Sequence, residues 1–191
     1  MRPAENVAAK RNAMKEEVRM TCGREPCRMG FSPCGLLLTC ILLFAITPAA
    51  VADKIIYVDD DAAGANDGSS WANAYNHLQD ALADANSAQK PLEIRVAQGT
   101  YKPDRTTLNP NGTGDRQAAF QLMNGVTLKG GYAGIGRPNP DARDINKYES
   151  ILSADIGTLG KNDDNSNHVF YHPKGLALDR TALIDGISIT G

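Results

Sequence analysis

Leu122-Met-Asn-Gly-Val-Thr-Leu-Lys-Gly130 and Leu183-Ile-Asp-Gly-Ile-Ser-Ile-Thr-Gly191 are two copies of one nine-residue pattern, and the second copy closes on the last residue of the chain. Each copy carries a leucine, an Asn or Asp ahead of a glycine, an alternating apolar triplet and a final glycine. That order reads as turn, short strand, turn, with Val126 and Leu128 on one face of the first strand and Ile187 and Ile189 on one face of the second. A strand this short buries too little surface to stand alone, so repeated units must stack on one another. Asn124 and Asp185 hold equivalent places and are expected to hydrogen-bond along a turn. Because a stack needs a neighbour on each side until a cap closes it, a chain ending at Gly191 is expected to be truncated within the architecture.

Upstream of the first copy, Lys54-Ile-Ile-Tyr-Val58 is a compact β-branched and aromatic run, and Asp59-Asp60-Asp61 followed by Gly64, Asn66, Asp67 and Gly68 ends it with turn chemistry. Leu78, Ala81, Leu82 and Ala85 recur at helical spacing, and Asn76 with Gln79 three residues on has the form of a capping box, which predicts a short helix from about Asn76 to Ala88. Trp71 and Tyr75, just before it, read as anchors for that helix. Leu92-Glu-Ile-Arg-Val96 alternates, placing Leu92, Ile94 and Val96 inward and Arg95 outward. Ser150-Ile-Leu152 and His168-Val-Phe-Tyr171 are further short strands among polar loops, and no helical period follows Ala88. Sandwich, barrel and solenoid all tolerate short strands with glycine turns, but matching units 61 residues apart with loop-like material between them favour a solenoid carrying insertions.

The first 52 residues read as a leader. A basic stretch up to Arg28 precedes the apolar run Leu36 to Ile46, and Ala50-Val-Ala52 forms a cleavage signal before Asp53. Initiation at Met20 would give a leader of more ordinary length. The competing reading is a retained membrane anchor, but the apolar run falls short of the roughly 18 residues a span needs. Cys22, Cys27, Cys34 and Cys40 all lie within the leader, so residues 53–191 have no disulfide framework and no thiolate metal site. Lipid attachment at Cys40 is disfavoured by Thr39, where a small residue would be expected. The whole chain carries a formal charge of −2, but after residue 52 there are 13 Lys and Arg against 18 Asp and Glu. An acidic exported domain does not attract nucleic acid or anionic lipid.

Ile55-Ile-Tyr-Val-Asp59, Gly68-Ser-Ser-Trp71, Leu78-Gln-Asp-Ala-Leu82, Ile94-Arg-Val-Ala-Gln-Gly-Thr-Tyr101, Gly125-Val-Thr-Leu-Lys-Gly-Gly131 and Leu183 to Gly191, taken in order, carry a resemblance. Residues 53–191 resemble the start of secreted right-handed parallel β-helix proteins of the pectate-lyase-like superfamily. The resemblance implies an all-β solenoid whose opening strand and short helix cap the first coil, with a secreted, cell-surface or periplasmic location. It further implies polysaccharide or cell-surface partners. In polysaccharide lyases of that superfamily, acidic side chains bind calcium and a basic residue, often Arg, abstracts a proton, but these groups lie on central coils.

Within this chain, Asp59, Asp61 and Asp67 in the loop after the first strand are the candidate calcium ligands. The competing reading is a turn-forming acidic loop, because an EF-hand register would put a Glu where Ser70 stands. Asp163, Asp164 and Asn165 invite the same comparison and read as turn-forming. Arg95 and Lys129 read as exposed strand charges, His77, His168 and His172 as structural, and no residue can be assigned a catalytic role. Asn111-Gly-Thr113 matches a glycosylation acceptor. Three functions stay open: a binding or structural module at the cell surface, a polysaccharide lyase or hydrolase with its active coils elsewhere, and a small domain that dimerises through an open rung.

Overall fold

Apolar residues at Ile56, Ile94 and Leu128 lie one above another, each at 1% exposure or less, and this ladder is the spine of the protein. The computed structural model describes residues 54–191; the leader and its cysteines fall outside the described residues. Strands β1 (Lys54–Val58), β2 (Leu92–Ala97), β4 (Val126–Tyr132) and β6 (Leu183–Asp185) stack in that order into one parallel sheet. A second parallel sheet stacks β3 (Gly99–Tyr101), β5 (Ser150–Ser153) and β7 (Ile187–Thr190). A parallel bridge between Phe120 and Phe170, with ring centroids 6.0 Å apart, continues the stacking outside both sheets. Residues 54–191 therefore form a β-solenoid of about four turns with one α-helix among the described residues.

Inward alternation is as expected on β2, where Leu92, Ile94 and Val96 are buried, and on β4, where Val126 and Leu128 are fully buried. Sheet burial on this pattern follows from the two-residue period of a strand. Ile189 is different. It is 54% exposed, as are Leu183 and Ile184 in large part, because no further strand stacks on β6 or β7 among the described residues.

Helix α1 spans Leu78–Ser87 and lays Leu78, Ala81, Leu82 and Ala85 on β1 and β2, covering the end of the first coil. The expected capping box does not form. His77 occupies the N-cap position without a side-chain bond. The amide of Asn76 instead donates to the carbonyls of Asp59, Asp60 and Ala62, and that of Gln79 to the carbonyls of Pro103 and Ala119. Both side chains satisfy loop carbonyls that have no ladder partner, which is worth more to the fold than a helix end that water can reach. Trp71 is buried, but against Tyr57, Ala97 and Tyr132 rather than against the helix. No helix among the described residues is long and apolar enough to cross a membrane.

The two sequence copies do not stack in the frame in which they align. Thr127, Leu128 and Lys129 pair with Leu183, Ile184 and Asp185, so Gly130 lies against Gly186 rather than against Gly191. The second half of the later copy, β7, has moved to the other sheet and sits on β5. Gly186, at φ 68°, makes the corner between the two sheets. Asn124 does bond along its turn, donating to Ala177 O and accepting from Asp179 N, both at 2.9 Å, in the next coil. Asp185 instead pairs with Arg143 at 2.9 Å.

Candidate functional site

The three consecutive carboxylates after β1 meet three different environments because the strand ends there and the backbone turns. Asp59 is buried, and both its oxygens are engaged: Oδ1 accepts from Asp61 N at 3.1 Å and Oδ2 from Ile135 N at 2.6 Å. Burial raises its pKa, with those two N–H groups opposing the rise and the Asp61 charge adding to it. Asp59 thus ties the end of β1 to the long insertion between β4 and β5, where Gly134 leaves no room for a side chain beside its carboxylate.

Asp60 turns the other way, over Gly99, where an added methyl would overlap its carboxylate. Although the residue as a whole is exposed, desolvation of the carboxyl and the neighbouring charges of Asp61 and Asp59 push its pKa up to about 6. Asp60 and Asp61 line an open polar groove of about 440 Å³ together with Gln98, Gly99, Asn146, Lys147 and Glu149. Glu149 arrives by stacking: its carbonyl accepts from Gly99 N at 3.0 Å as β5 pairs with β3. The groove is therefore lined by acidic residues from two segments nearly ninety residues apart in sequence, with Lys147 also in its lining.

Of the expected calcium ligands, Asp59 and Asp61 lie together with Asp60, with a ligand oxygen from each within 4.8 Å of the others. Asp67 is not in that group; its Oδ1 accepts from Ser69 N at 2.9 Å in a local turn that holds its pKa down. The fit to a calcium ion is partial, because the oxygens of Asp59 already receive backbone N–H bonds and leave Asp60 and Asp61 as the freer donors. Asp60, Gln98, Asn146, Lys147 and Glu149 were not legible as site residues, since only the β3–β5 pairing brings them to one place.

A second polar cluster sits on the outer face of the first sheet. Glu93 bridges Arg95 Nε and Lys129 Nζ, both at 2.7 Å, and Asp141 bridges Arg95 and the Trp71 indole N–H, both at 3.0 Å. Arg95 also lies over the rings of Tyr57 and Tyr132, 5.9 and 5.3 Å from their centroids. Desolvation alone would lower its pKa, but the bond it donates to Glu93 and the flanking tyrosines raise it above the ordinary value. A guanidinium held this way cannot abstract a proton, and the cluster reads as the clamp that fastens the Trp71 loop and the Asp141 loop to the sheet.

The histidines are structural where bonded. His172 Nε2 accepts from Leu122 N at 3.1 Å, and His168 stacks on Tyr171. Burial lowers the pKa of His77. Comparison with known proteins gives no match, whether to a protein-family model, to a curated protein or to a solved structure.

Proposed function

We propose that this β-solenoid is an exported binding module of the cell surface, extracellular space or periplasm that takes hydroxyl-rich carbohydrate in the groove beside Asp60, Asp61 and Glu149. The observation that carries the reading is the groove itself, open and polar, lined by Asp60, Asp61 and Glu149 together with Gln98, Asn146 and Lys147. Sugar hydroxyls need that mixture of donors and acceptors. The leader-like N-terminus supports export, and the acidic surface disfavours nucleic acid. A membrane would be met only through an uncleaved leader. Calcium held by Asp60 and Asp61, with Asp59 behind them, would bridge hydroxyls to the protein.

The test is binding of the exported chain to a panel of neutral and acidic oligosaccharides, with calcium and with chelator, alongside the Asp60→Asn/Glu149→Gln double variant. At least a tenfold loss in the variant is expected. Equal binding by the variant, or none by the folded wild type, would overturn the reading.

Catalysis is the second reading, favoured by the raised pKa of Asp60. A carboxyl whose pKa is pushed up to about 6, with the carboxyl group of Asp61 beside it, resembles the paired carboxyl groups that glycoside hydrolysis uses. Hydrolysis suits the groove better than β-elimination by Arg95 or Lys129, because neither lines the groove and both are engaged by Glu93. Release of reducing ends from a bound polysaccharide, lost in Asp60→Asn, would distinguish an enzyme from a binding module.

A further inference from the structure

The loop that follows β5 leaves three side-chain oxygens buried and without a partner: Asp155 Oδ1, Asp164 Oδ1 and Asn165 Oδ1. Few buried polar atoms are left unpaired in folded proteins, and each such atom calls for an explanation, a bound ion being one. Three within residues 155–165 call for a common one.

The loop is closed at its base by Ser166 N donating to Ala154 O at 2.8 Å, which sets Asp155 and Asn165 on the two facing arms. Both carboxylates turn into the loop and are held there by one oxygen each. Asp155 Oδ2 accepts from Gly160 N at 2.8 Å, and Asp164 Oδ2 accepts from Thr158 N at 3.0 Å. Gly157 makes room for the Asp164 carboxylate, which an added methyl at that position would overlap. Asn165 is 8% exposed, its backbone carbonyl takes Arg116 Nε at 2.7 Å, and its side-chain Oδ1 is buried without a partner. Each carboxylate is thus oriented by the backbone through one oxygen while the other is shielded from water.

Two anionic oxygens and an amide oxygen in one closed loop are hard donors, and calcium accepts six to eight such oxygens in flexible geometry, completing its shell with carbonyls and water. Magnesium demands a tighter octahedron, which two carboxylates tethered to neighbouring backbone amides are poorly placed to complete. We propose that the loop 155–165 is a calcium site with Asp155, Asp164 and Asn165 as its side-chain ligands. The ion fastens the loop whose base is bonded to Arg116 and Ala118 and leads into the Phe120–Phe170 bridge. This site is separate from the Asp60 groove, and neither reading depends on the other.

The experiment is a calcium titration of the chelator-treated full chain, followed at the backbone amides of Gly157, Thr158, Gly160 and Asn165 by NMR and by calorimetry. Calcium is expected to shift those amides and to bind at micromolar to millimolar concentration. Asp155→Asn and Asp164→Asn should each weaken that binding at least tenfold, while Asp84→Asn, whose carboxylate only pairs with Lys54, leaves it unchanged. The wild-type titration decides even where a variant fails to fold. If those amides stay unmoved at about 10 mM calcium, above the weakest range known for protein calcium loops, water alone satisfies the three oxygens and the proposal fails. Unaltered shifts in a folded Asp155→Asn/Asp164→Asn double variant would overturn it equally.

Discussion

The hydroxyl of Ser150 lies 2.9 Å from the carbonyl oxygen of Val96, on the neighbouring coil. It is equally close to Ala97 O and accepts from Gly131 N at 2.9 Å, so one fully buried side chain satisfies backbone groups where both β2 and β4 end. Corners are where a solenoid breaks its ladders, and groups freed there must find other partners. Ser150→Ala is expected to cost about 1–3 kcal/mol, the penalty of leaving buried backbone groups unpaired. Urea denaturation of the two proteins, compared at constant m-value, measures it; a loss within experimental error would mean that water replaces the hydroxyl.

Gly130 is needed for space. A methyl added to its Cα would run into the carbonyl of Gly186 in the next coil and the side chains of Ile187 and Ser150. Gly130→Ala is therefore expected to destabilise by about 1–3 kcal/mol through overpacking, whereas Gly136→Ala, which meets open space and differs only in a strained φ of 76°, should cost less. Thermal melts of the pair give the comparison.

Asn124 joins its turn to the following coil through both ends of its amide. Because these bonds are exposed to water, Asn124→Ala should cost only about 0.5–1.5 kcal/mol. Its clearer signature is local: hydrogen exchange at the Asp179 amide should accelerate, and an unchanged rate would assign the protection of that turn to other bonds.

Asp60 should give the stability curve a slope of unusual sign. Its folded pKa of about 6 lies above the ordinary 3.8, so the folded state takes up the proton first. Lowering the pH from about 6 to about 4 then adds stability from this group, and raising it through 6 removes that contribution. Asp60→Asn is expected to be more stable than the wild type at pH 7, by a small margin because the residue is exposed, with the difference closing near pH 4. Melting temperatures across that interval test the sign.

Much of the scaffold could be read from single residues. The alternation of Leu92, Ile94 and Val96, the helical spacing of Leu78, Ala81, Leu82 and Ala85, and the tandem Gly-containing patterns each declare a face that must be buried, and in the structure all but the last strands are. The capping box at Asn76 and Gln79 misled because a side-chain amide goes to whichever backbone group lacks a partner, and those groups lie on loops distant in sequence. The repeat misled in frame for a related reason. Sequence similarity aligned Asn124 with Asp185, whereas stacking aligns Lys129 with Asp185, since the corner glycine rather than the pattern's start sets where a strand changes sheet.

For the sites, the sequence showed acidic clusters and stopped there. Asp59, Asp60 and Asp61 are alike on paper; the end of β1 buries the first, the start of β3 places the second over Gly99, and the third faces solvent. Glu149 joins them only because β5 pairs with β3, and the unpaired oxygens of Asp155, Asp164 and Asn165 exist only because their loop closes at Ala154 and Ser166. By itself, then, the sequence determined a capped, stacked array of short strands, because burial periodicity is a local property of the chain. Which polar groups converge, and which are left for a ligand, was decided by the tertiary structure alone, because registers between coils and the closure of insertions bring together residues that no local pattern connects.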